Sequence, residues 1–115
     1  MTELVNQTTP LHSEALAIRG YLVFAARHRQ LVSAEQVNAG TGVVKSRVAQ
    51  RVNELNRSEH AEGRPLLGAI VTSGQPPRPT SGFVSFAREI LEDADDVQAF
   101  WRSQCDSVWA FAWSD

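Results

Sequence analysis

Ser33-Ala34-Glu35-Gln36-Val37-Asn38-Ala39-Gly40-Thr41-Gly42-Val43-Val44-Lys45-Ser46-Arg47-Val48-Ala49-Gln50-Arg51-Val52-Asn53-Glu54-Leu55 is the stretch on which the reading of this chain turns. Ser33 has the hydroxyl that an N-cap needs, and Gln36, three residues on, can reach back to the cap backbone as in a capping box. A short helix is expected from there through Val37 to about Ala39. Gly40-Thr41-Gly42 then stops it, because glycine tolerates the left-handed conformation of a helix exit. A second helix is expected from about Lys45 to Ser58. Its Val48, Val52 and Leu55 fall at i, i+4 and i+7 and form one apolar face. Lys45, Arg47, Gln50, Arg51, Asn53 and Glu54 fall off that face. Helix, glycine turn and second helix together are the helix-turn-helix pattern, whose second helix can lie in the major groove.

Outward from this core stretch, Ser13 is a candidate cap for an earlier helix running to about His28, with Glu14 placed favourably at its positive end. The apolar set of that helix is read as Leu16, Ala17, Tyr21, Phe24 and Ala25, widened by Leu22 and Val23. On the C-terminal side, Leu66 to Thr72 is short, apolar and β-branched towards its end, which predicts a buried strand. Ser73 to Gly82 carries Pro76, Pro77 and Pro79 and reads as a loop. Phe83 to Phe86 fits either a short strand or the start of a helix continuing through Ile90. Asp93, Asp95 and Asp96 are expected to end that segment and cap a final helix, in which Val97, Phe100, Trp101, Cys105, Val108, Trp109 and Ala112 recur at helical spacing.

The expected architecture is α+β: a leader over 1–12, then one winged-helix-like domain over 13–115, made of a helix-turn-helix and a small β-wing. An aromatic-rich C-terminal extension covers about 86–115. On this reading Lys45, Ser46, Arg47, Gln50 and Arg51 contact nucleic acid from the second helix, and Arg64 and Arg78 from the ends of the wing. Arginine can bind guanine bidentately and glutamine can bind adenine. Trp109, Phe111 and Trp113 are the expected aromatic surface for a homodimer or a protein partner.

Residues 31–84 resemble the winged-helix, DNA-binding half of the O6-alkylguanine DNA alkyltransferase and alkyltransferase-like proteins. The resemblance rests on Leu31 to Val37 before the glycine turn, on Arg47 to Leu55, and on Arg64-Pro65-Leu66-Leu67 leading into an apolar strand. In that family the second helix enters DNA, an arginine acts as a wedge, and a Pro-Cys-His-Arg segment carries the alkyl acceptor. Here Pro65 is followed by Leu66, Leu67 and Gly68, with neither cysteine nor histidine. The resemblance therefore implies an architecture and not the transfer chemistry.

Composition bounds the remaining possibilities. The 115 residues are 43% hydrophobic and 21% charged, the balance of an ordinary globular domain. Cys105 is the only cysteine, so no intramolecular disulfide can form. It falls on an apolar stripe beside Asp106 and is expected to be a buried structural thiol. His12, His28 and His60 lie far apart, which argues against a metal centre, and no cofactor is expected. Neither a signal peptide nor a membrane span is visible, so a cytoplasmic location without membrane attachment is expected. No serine sits in a nucleophile-elbow pattern, and a catalytic role is not expected. The formal net charge of -2 conceals an asymmetry. Residues 19–78 hold nine bases and four acids, leaving +5, and residues 79–115 hold two bases and seven acids, leaving -5.

Two functional expectations follow. The first is a small non-catalytic protein associated with double-stranded DNA, as a regulator or accessory subunit. The second is a protein-interaction module, an adaptor or inhibitor, on a winged-helix scaffold that does not bind DNA. The sequence pI of about 5.9 favours the second. An enzyme subunit that completes a site with a partner chain is a third, weaker reading.

Overall fold

The structure is a computed structural model that describes residues 11–92 and 96–113. Among these residues are five α-helices and a three-stranded sheet: α1 Ser13–Arg27, β1 Val32–Ser33, α2 Ala34–Thr41, α3 Lys45–Ala61, β2 Val71–Ser73, β3 Arg78–Pro79, α4 Ser81–Ile90 and α5 Val97–Ala110. The chain is α+β, as the helix and strand signals predicted.

The cap of α1 is His12 and not Ser13. The Glu14 N–H donates to His12 Nδ1 at 3.0 Å, and Ser13 becomes the first helical residue. An imidazole nitrogen in an extended residue can accept as a hydroxyl does, so the signal lay one position earlier. The buried face of α1 is Ala15, Ile18, Leu22, Val23, Ala25 and Ala26. Leu16 and Phe24, read as core positions, are 54% and 58% exposed. Two apolar sets at helical spacing run along this helix, and packing against α3 and the segment before β2 selects the one rich in small residues.

The capping box of α2 forms as read. The Gln36 N–H donates to Ser33 Oγ at 3.1 Å, and the Ser33 N–H donates to Gln36 Oε1 at 2.8 Å. The helix runs two residues beyond the expected end and exits through Gly42, at φ +77°. Gly40 is inside it, and its bare Cα lies where a Cβ would stand 2.3 Å from the Tyr21 ring, so glycine there lets α2 close on α1. Helix α3 extends to Ala61, three residues further than its apolar periodicity suggested. Its buried row is Val48, Val52, Leu55, Asn56 and Glu59.

Leu66 to Thr72 is not one strand. Leu67–Ile70 forms a turn of 3-10 helix, and β2 begins only at Val71. The reason is tertiary. Gly68 lies so close to α3 that a Cβ would stand 2.5 Å from Val52 Cγ1, and its N–H donates to Asn56 Oδ1 at 2.8 Å. The Ala69 carbonyl accepts from Trp101 Nε1 at 2.8 Å. Side chains of α3 and α5 thus take up backbone groups that a ladder would have used. This buried segment touches α1, α3 and α5 and forms the middle of the core.

Strand order is β1-β2-β3. Val32 and Ser33 pair in parallel with Val71 and Thr72, and Thr72 and Ser73 pair antiparallel with Pro79 and Arg78. Pro79 is tolerated because β3 is an edge strand. Phe83 to Phe86 belong to helix α4, which Thr80 caps through the Phe83 N–H at 3.2 Å. Asp96 caps α5 through the N–H groups of Gln98 and Ala99. Asp93 and Asp95 lie outside the described residues. Ala112, expected on α5, follows its end and is exposed. No described helix is long and apolar enough to cross a membrane.

Candidate nucleic-acid interface

The outer side of α3 presents Lys45, Ser46, Arg47, Ala49 and Gln50 to solvent over its first two turns. The helix opens on Val44, which supplies no side-chain cap. The Arg47 N–H donates to the Val44 carbonyl at 2.8 Å, and no side chain caps the first turn, which carries the positive end of the helix dipole. Beside this face, a cavity of about 250 Å³ runs between α3, β2 and the start of α4, with Val48, Val52 and Val71 in its wall and Lys45 at its rim. Asn53 is turned towards α4, where a Cβ on Gly82 would stand 2.8 Å from Asn53 Oδ1.

The bases on this face are paired inside the molecule. Arg47 donates to Glu14 of α1 through Nε, at 3.0 and 3.1 Å, and through Nη2 at 2.5 Å. Arg51 Nε donates to the same carboxylate at 2.9 Å, and Arg51 Nη1 donates to Glu54 Oε1 at 3.2 Å. The His12 N–H donates to the other Glu54 oxygen at 3.1 Å. Lys45 pairs with Glu35 of α2. The two arginines hold the Glu14 carboxyl down at about 2, mainly through their hydrogen bonds. Three cations thus face three carboxylates. The Glu14 clamp was not visible in the sequence, since 33 residues separate Glu14 from Arg47 and no local periodicity links them.

Arg64 and Arg78 are not gathered with this group. Helix α3 has 17 residues, about 25 Å at 1.5 Å per residue, and Arg64 lies beyond its far end. There Arg64 shares the fully buried Glu59 carboxylate with Arg19, whose Nε donates at 2.8 Å. Arg78 is exposed on the edge strand β3, where its guanidinium lies over Gly74 in the β2–β3 connection.

The C-terminal aromatics mostly close the fold. Trp113 is 6% exposed, and its Nε1 donates to the Val108 carbonyl at 2.8 Å. The Arg19 guanidinium lies over its ring at 5.7 Å, and Arg27 Nη2 donates to its carbonyl at 2.7 Å. Trp109 is half-buried and bonds the Gln30 carbonyl at 3.2 Å. Phe111 keeps 39% of its surface exposed. Cys105 is buried, and burial, with Asp106 adding, pushes its thiol up to about 12. Among the described residues no group of three His, Cys, Asp or Glu is placed to hold a metal ion. Comparison of the chain with protein-family models, curated proteins and solved structures returned no match.

Proposed function

We propose that this chain is a small, non-catalytic winged-helix protein that associates with double-stranded DNA in the cytoplasm, as a regulator or accessory subunit. In this reading α2 and α3 are the helix-turn-helix, and β2 and β3 are the wing that carries Arg78. The observation that carries it is the first half of α3: a helix start without a side-chain cap, on which Lys45, Ser46, Arg47 and Gln50 are all exposed. Backbone N–H groups and the cationic side chains would position phosphate, and Gln50 would reach base edges. Titration with duplex DNA at low and moderate salt tests this. Binding should weaken steeply with salt and fall about tenfold or more when Arg47→Ala and Arg51→Ala are combined. No binding at the lowest salt sinks the reading for this chain.

The Glu14 clamp favours a second reading, a protein-interaction module on the same scaffold. Phosphate would have to displace a carboxylate already held by two arginines, whereas a protein partner could use the exposed Leu16, Phe24 and Phe111 and leave the clamp intact.

A further inference from the structure

At the end of α3 remote from the exposed bases lies a second cavity, of about 300 Å³, bounded by the α3–β2 connection, the end of α4 and the middle of α5. Its polar lining consists of His60, Arg64, Gln104 and Ser107, and none of its lining residues is acidic. Its apolar wall includes Leu66, Ile90 and Phe100.

The charge at this place is not balanced. Arg19 and Arg64 both bond the one carboxylate of Glu59, which is fully buried, so the three side chains leave one positive charge over. Glu59 engages Arg64 through Nε and holds the stem of the side chain in place. Among the described residues the terminal amino groups of Arg64 have no acceptor, and its side chain is 33% exposed. Such a guanidinium keeps its planar two-donor edge for an incoming oxyanion. Gln104 is oriented in the same way. Its Oε1 accepts from the Leu66 N–H at 2.8 Å, which leaves the amide donors on the other side. The His60 ring is steadied edge-on by Phe86 at a centroid distance of 5.7 Å. The cavity thus combines a permanent cation, further hydrogen-bond donors and an apolar wall, at the small end of the volumes that ligand pockets span.

We propose that this cavity binds a small organic anion: a carboxylate or phosphate monoester borne on an apolar ring. The anion takes the outer edge of Arg64, with Gln104 and Ser107 as supporting donors, and the ring lies against Leu66 and Phe100. The site stands apart from the α3 face and does not depend on DNA binding.

The test is an amide-resolved NMR titration of the whole chain with benzoate, with phenyl phosphate and with uncharged benzyl alcohol. Saturable shifts at Gly63, Gln104 and Ser107 are expected with at least one anion, at an affinity about tenfold or more above that of the alcohol. Benzoate alone would identify a carboxylate site, and phenyl phosphate alone a phosphate site. Arg64→Lys keeps a cation for Glu59 but loses the fork, and should weaken the anion about tenfold. The proposal is overturned if neither anion gives saturable shifts at these amides, if the alcohol binds as well, or if a folded Arg64→Lys chain binds unchanged. The comparison of anion with alcohol uses the native sequence, so it decides the question even if the variant does not fold.

Discussion

Cys105 and Glu14 show how a side chain's neighbours set its chemistry. Cys105 lies in the core with its Sγ 3.5 Å from the Ala69 carbonyl, and its thiol is pushed up to about 12. At pH 8 that leaves on the order of one thiol in ten thousand ionised, and the thiolate is the reactive form. The folded chain should therefore resist a thiol reagent such as DTNB at pH 8 and react fully in denaturant; rapid native-state reaction would show that the thiol is accessible. Glu14 moves in the opposite direction. Its carboxyl, ordinarily near 4.5, is held at about 2 by Arg47 and Arg51. A depressed carboxyl stabilises the fold above its unfolded value, and that contribution is lost as pH falls from about 4.5 towards 2. Glu14→Gln should flatten the acid limb of a stability-versus-pH curve within that window. An unchanged slope would mean that the clamp does not persist in solution. Asp106 stands next to Cys105 in the sequence, whereas the partners of Glu14 are 33 and 37 residues away and leave no local sign.

At the scale of elements, the ends of helices were more legible than the strands. Ser33 with Gln36 marks a helix start by chemistry that acts over three residues, and the capping box forms. The glycine exit was equally local, although the stop falls at Gly42. The segment 66–72 misled because apolar, β-branched composition describes burial as well as it describes a strand. Its 3-10 turn depends on the close approach of Gly68 to Val52 and Asn56. Gly68→Ala should accordingly cost about 1–3 kcal/mol, since its Cβ would stand 2.5 Å from Val52 Cγ1 and 2.6 Å from Asn56 Oδ1. Gly20→Ala is the control, because a Cβ there meets nothing within 4 Å and alanine favours the helix. Chemical denaturation of both variants checks the contrast, and equal stabilities would contradict this packing.

Across the whole molecule, the charge asymmetry of the sequence is partly undone by folding. The basic middle and the acidic tail meet where Arg57 of α3 donates to both oxygens of Glu89 of α4, at 3.0 and 2.8 Å. The first helix meets the basic middle where Glu14 of α1 holds Arg47 and Arg51. A linear tally therefore overstates the positive field that α3 offers to a partner, although the pairs at Arg47 and Arg57 are exposed enough to be screened by salt. The surplus charge that remains in the Arg19–Glu59–Arg64 cluster lies at the other end of α3. The C-terminal aromatics follow the same rule of return: Trp113 folds back over α1, and Phe111 keeps the larger exposed surface.

The α+β class, the two successive helices α2 and α3 after Ser33, and the burial of Cys105 were legible in the sequence. These follow from caps, glycine exits and apolar periodicity, which act over a few residues. Packing between distant segments selects the buried face of α1, turns Leu67–Ile70 into a 3-10 helix and closes Glu14 on Arg47 and Arg51. The same packing places Arg64 beside a cavity at the far end of α3. Each of these depends on contacts between residues far apart in the chain, and such contacts leave no period or spacing in the sequence.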